Sequence, residues 1–130
     1  MRLATLERDT RSAPALVTPF TLVHFLSGAA AYFCLRRLAG GLSLPARFAV
    51  WFLAHAAYEA KDIYTSYVGK SHSYHYEHSW QNSAGDQVAA MLGFAAGHAL
   101  RDTAAGTRGA LVSLATVAVV SGLMYRARMT

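Results

Sequence analysis

The chain has 130 residues, enough for one domain and too few for two independent cores. Hydrophobic residues make up 54% of it and charged ones 15%, below the ~25% usual in soluble domains, and the mean hydropathy is +0.23. Net charge is +5, yet the arginines sit at the ends of apolar runs rather than in a stripe with interleaved aromatics. That arrangement argues against nucleic acid and fits side chains that snorkel to lipid phosphates.

Residues 1–16 read as a polar N-terminal arm. Arg2, Arg8 and Arg11 are mixed there with Glu7 and Asp9, which does not fit a cleavable signal. A first helix is expected over 18–38, opened by Thr18-Pro19 and stopped at Arg36–Gly41 by two arginines and two glycines. The lone cysteine, Cys34, has no internal disulfide partner and reads as a small apolar filler. Ser43-Leu44-Pro45 supplies a cap and a first-turn proline for a second helix over 45–63. A polar connection over 64–81, rich in Tyr, Ser and His, leads to a third helix over 82–101. A turn at Ala104–Gly109 then precedes a fourth over 109–126. These runs are long, rich in Ala and Leu and not alternating, so strands are not expected. The expectation is an all-α bundle of four transmembrane helices over 17–130, a multi-pass integral membrane protein. A fully apolar span needs roughly 20 residues. The second and third helices reach that length only with their polar ends included, as expected where those ends line protein or water. Seven Lys and Arg fall on the side of the termini and five on the other, in two short loops, so the charges assign no orientation.

Three of the four apolar runs carry ionisable groups: His24 in the first, His55 and Glu59 with Asp62 in the second, Asp86 and His98 in the third. Such groups are costly in hydrocarbon and normally face a bundle interior or a wet cavity. His55, Glu59 and Asp62 are spaced i, i+4, i+7 and share one helix face. At ~1.5 Å rise per residue His24, Glu59 and Asp86 come to a similar depth, while His98 lies roughly 18 Å beyond Asp86. The expected pocket has His24, Glu59 and Asp86 at its centre and Asp62, Asn82 and His55 at its rim. Small residues, Gly28 and Ala31 after His24, and Ala89, Gly93 and Gly97 after Asp86, mark close helix packing on the same faces. The plainer alternative makes these polar groups hydrogen-bonding glue or interfacial caps. In the connection, His72, His75 and His78 with Glu77 are candidate ligands for a divalent metal, although their spacing matches no established zinc signature. A haem between His24 and His55 is a lesser candidate, and the cofactor is otherwise left open.

The segments "HFLSGAAAYF" from His24, "HAAYEAKD" at the end of the second helix, and above all "NSAGDQVAAMLGFAAGH" (Asn82–His98) resemble the VanZ-like membrane proteins. The resemblance covers roughly residues 20–100 and places His24, Glu59, Asp86, Gly93 and Gly97 on the family's motif positions. The chain departs from the family at Asp62, where a Gln is common, and at Trp80-Gln81, where an Arg usually precedes the motif. The resemblance implies about four helices and no defined reaction. Two functions are carried forward. One is a polar intramembrane pocket that binds or processes a lipid or cell-envelope headgroup, with a His–carboxylate acid–base pair. The other is a non-catalytic accessory subunit of a larger membrane complex. The expected partners are membrane lipids and, in the second case, other membrane subunits.

Overall fold

Helix-starting side chains set the element boundaries in the structure, a computed structural model that describes residues 2–4, 15–68 and 79–129. Four helices form: α1 (Thr21–Leu38), α2 (Leu44–Val68), α3 (Trp80–Ala99) and α4 (Ala104–Met129). At the start of α1, Thr18 Oγ1 accepts from the Phe20 N–H, and Thr21 Oγ1 accepts from the Thr18 N–H. Ser43 Oγ accepts from the Ala46 N–H at the start of α2, with Pro45 in the first turn. Ser79 caps α3 through the Asn82 N–H, so that helix begins at Trp80, two residues before the sequence expectation. Thr103 Oγ1 accepts from the Gly106 N–H at 2.8 Å, and α4 starts at Ala104. The stretch expected to turn, Ala104–Gly109, is therefore helical. α2 also continues to Val68, five residues beyond its expected end.

Two further departures concern class. The N-terminal arm is not simply a polar tail: β1 (Arg2–Ala4) and β2 (Ala15–Val17) form a parallel pair, Arg2 against Ala15 and Ala4 against Val17. Three-residue strands are shorter than the alternation needed to see them in a sequence. The expectation of four transmembrane spans reduces to four helices, because among the described residues none is long and apolar enough to cross a membrane. Their polar positions dilute the apolar ones.

Helices α1 and α3 make the most extensive contact of the bundle. It is a backbone contact: a Cβ on Gly28 would overlap the Ala90 carbonyl oxygen, and one on Gly93 would overlap that of Phe25. At Gly97 the added atom would meet Tyr32 Cβ at 3.0 Å. Toward the end of the bundle where α1 stops, the interior is aromatic. Buried Tyr32 sets an edge against buried Phe94 with centroids 5.3 Å apart, and exposed Phe48 meets Phe94 from the outer side at 5.7 Å. His98 joins this end, its Nδ1 3.2 Å from the Tyr32 hydroxyl. The opposite end, where α1 and α3 start and α2 finishes, is polar.

Candidate functional site

The buried residues of α2, among its described side chains, are His55, Glu59 and Asp62, whereas Phe48, Val50, Phe52, Leu53 and Tyr58 are exposed. The i, i+4, i+7 face therefore turns inward, and the apolar remainder turns out. α3 presents Asn82, Ser83 and Asp86 to the same place, all buried, and α1 brings His24 from its first turns.

His24 is the hub. Its Nδ1 lies 2.9 Å from His55 Nε2 and 3.4 Å from Glu59 Oε1, while its Nε2 lies 3.5 Å from Asp86 Oδ2. His55 Nε2 is 3.7 Å from the same Glu59 oxygen. The two imidazoles meet edge to face, with centroids 5.1 Å apart and planes at 85°. Supporting contacts fix these rings. The Thr21 hydroxyl donates to Asp86 Oδ1 at 2.6 Å, holding the carboxylate that faces His24. Gln87 donates its amide N–H to the Phe52 carbonyl at 3.2 Å, so its oxygen faces His55 Nδ1 at 2.8 Å. His55 Nδ1 therefore carries the hydrogen, and Nε2 presents its lone pair to His24 and Glu59. Trp51, one turn before His55 on α2, donates its indole N–H to the Ala90 carbonyl of α3 at 3.4 Å.

Three carboxylates crowd this interior. Asp62 is countered by Lys61, whose Nζ stands 2.6 Å from Oδ1 and 4.2 Å above the Tyr58 ring. Asp86 has the Thr21 hydroxyl. Glu59 is buried with neither oxygen in a hydrogen bond, and Asn82 Nδ2 and Ser83 Oγ nearby are likewise without one. A buried carboxylate whose oxygen faces imidazole nitrogens at 3.4 and 3.7 Å is costly to keep ionised, and a proton or a cation beside it lowers that cost.

The structure thus brings His24, Glu59 and Asp86 together and places Asp62 and Asn82 beside them. It moves His55 from the expected rim to the centre, because its ring meets both His24 and Glu59. Gly28, Gly93 and Gly97 lie in the α1–α3 contact. The direct imidazole contact leaves no gap for a porphyrin, so the haem expectation is withdrawn. His72, His75, His78 and Glu77 lie outside the described residues. Thr21 and Gln87 were missed by sequence reasoning. Gln87 carried a signal, as a long amide in an apolar run next to Asp86, but Thr21 looked like an ordinary helix-start residue. Comparison of the chain with models of protein families, with curated proteins and with solved structures finds no match.

Proposed function

We propose that this chain is a small membrane-embedded helical bundle, VanZ-like in arrangement, whose His24–His55–Glu59–Asp86 interior is an acid–base pocket for a polar lipid or envelope headgroup. The observation that carries the reading is the inversion of α2. Its buried side chains, among those described, are all ionisable, while its outward face bears Phe48, Val50, Phe52 and Leu53, the last 66% exposed. Leu22 of α1 and Val88 and Leu92 of α3 point outward in the same way. A helix in water turns its apolar stripe inward, and large contiguous apolar surfaces mark contact with membrane or protein. Mean hydropathy is a weak guide here, since each inward polar group lowers it without touching lipid. The resemblance of Asn82–His98 to the VanZ-like motif agrees with this reading.

Two measurements test it. Reconstituted into vesicles of brominated phosphatidylcholine, the protein should show quenched fluorescence from Trp51 and Trp80 and resist alkaline extraction. Release by alkali with no quenching overturns the membrane placement. Calorimetry with short-chain phospholipids differing only in headgroup should show headgroup-dependent affinity that Glu59→Gln removes. A panel bound indifferently overturns the pocket.

A second reading has its own observation. Among its described residues α4 buries Gly106, Ala110 and Ser113, and its Leu111, Val112, Val119 and Leu123 are exposed, a surface suited to another membrane subunit. Migration of the detergent-extracted protein as a defined hetero-complex favours that reading.

A further inference from the structure

The donor atoms at the hub form a compact triangle: His24 Nδ1, His55 Nε2 and Glu59 Oε1, separated by 2.9, 3.4 and 3.7 Å. We propose that these three residues, which lie together in the polar interior, bind one divalent transition-metal ion of zinc-like, four-coordinate preference. The inference rests on the reading of that interior as a functional pocket, but not on the headgroup or on the membrane.

The dimensions fit. A point equidistant from three atoms so spaced lies about 2.0 Å from each in their plane. Zinc bonds to imidazole nitrogen and carboxylate oxygen run about 2.0–2.1 Å, so the ion sits slightly above the triangle, as over one face of a tetrahedron. Donors at tetrahedral angles with those bond lengths stand about 3.3 Å apart, close to the mean of the three sides. Two histidines and one glutamate with the fourth corner open is a donor set that zinc takes where it works on a ligand. Here that corner would take a water or a headgroup oxygen.

The surroundings fit as well. A ligating histidine almost always gives its other N–H to a carboxylate or carbonyl, which fixes the ring and its tautomer. His55 gives Nδ1–H to Gln87, itself held by the Phe52 carbonyl, and so aims Nε2 into the triangle. His24 faces Asp86 through Nε2, and Asp86 is held by Thr21. Without a metal, His24 would donate Nδ1–H to His55, and its Nε2 would face the Asp86 carboxylate only with an additional proton on one of the two. With a metal on Nδ1, the Nε2–H faces Asp86 and no additional proton is needed. Glu59, Asp62 and Asp86 are all buried, Lys61 pairs with Asp62, and Glu59 Oε1 faces the two imidazole nitrogens at 3.4 and 3.7 Å. A divalent cation there would stabilise the ionised form of the Glu59 carboxylate.

The test uses the full chain with a tag free of histidine, purified in detergent, stripped with a chelator and titrated with Co²⁺ and Zn²⁺. One Co²⁺ per chain with the intense visible bands of four-coordinate cobalt is expected, displaced by Zn²⁺. X-ray absorption of the zinc form should show two imidazoles and light-atom bonds of about 2.0–2.1 Å. Glu59→Ala and His55→Ala should abolish the bands, and Gln87→Leu should weaken binding about 10–100-fold. The triple change His72→Ala, His75→Ala and His78→Ala should leave binding unaltered. No stoichiometric cobalt, six-coordinate spectra, an absorption edge lacking two imidazoles, or loss of metal in the loop variant each overturns the site. The absorption measurement needs no variant, so a substitution that prevents folding leaves the answer intact. Absence of metal with headgroup-dependent binding retained sinks this inference alone, and metal binding by a protein released from membranes sinks only the membrane placement.

Discussion

Helix α3 meets α1 mainly through backbone and α2 through side chains, with Asp86 adding a polar contact to α1. Toward α1 it offers Gly93 and Gly97, and the backbones touch, with Gly28 returning the contact against Ala90. Toward α2 it offers side chains, and the contact is polar: Gln87 on His55 and on the Phe52 carbonyl, with Trp51 of α2 on the Ala90 carbonyl. The first contact holds by shape and dispersion around Gly28 and Gly93, where an added atom would overlap backbone, and gains a polar end where Asp86 meets Thr21 and His24. The second holds by paired donors and acceptors and leaves groups unsatisfied where it is incomplete, at Glu59 and Asn82.

The sharpest way to break this comparison is to add volume to the backbone contact. Gly93→Val places branched carbon where the Phe25 carbonyl lies, and should destabilise the bundle by about 3 kcal/mol or more, read as a large fall in Tm by circular dichroism in detergent. A tolerated valine would mean that α1 and α3 do not touch as described. At the polar end of the α1–α3 contact, Asp86→Ala strands the Thr21 hydroxyl and removes the carboxylate facing His24, at a cost of about 1–3 kcal/mol. Thr21→Val should cost less, and the double variant little more than Asp86→Ala alone, because the two share one hydrogen bond. Additive losses in that cycle would dissolve the link. The smallest effect belongs to the outer surface: Leu111→Ser on α4 should change stability by no more than about 0.5 kcal/mol. A larger loss would show that α4 is packed against something further.

Much of this architecture was legible because helices have a fixed period. The spacing of His55, Glu59 and Asp62 put them on one face whatever that face met, and counting along the helices brought His24, Glu59 and Asp86 to one level. Small residues at four-residue spacing marked the α1–α3 seam. The remainder turned on rotations that period alone does not set. His55 and Glu59 share a face, but which of them stands nearer His24 depends on how α2 rolls against α1, so His55 was placed at the rim. Gln87 lies about 100° around the helix from Asp86 and serves α2 while Asp86 serves α1, a division invisible until both neighbours are known. The strands escaped for a different reason: three residues pair only because the chain returns beside itself, a long-range event with no local trace.

That strand pair has a consequence for where water stands. Among the described residues the two parallel strands pair only with each other, and backbone groups on an unpaired edge find no partner in hydrocarbon. β2 lies against the first turns of α3, with the Leu16 carbonyl packed on Gly85, next in sequence to Asp86. In the proposed membrane placement, this end of the bundle must therefore sit at the aqueous boundary. The histidine–carboxylate cluster would then lie shallow, beneath a hydrated collar, with a short route for ions and headgroups and a floor of buried Tyr32 and Phe94 between it and the opposite leaflet.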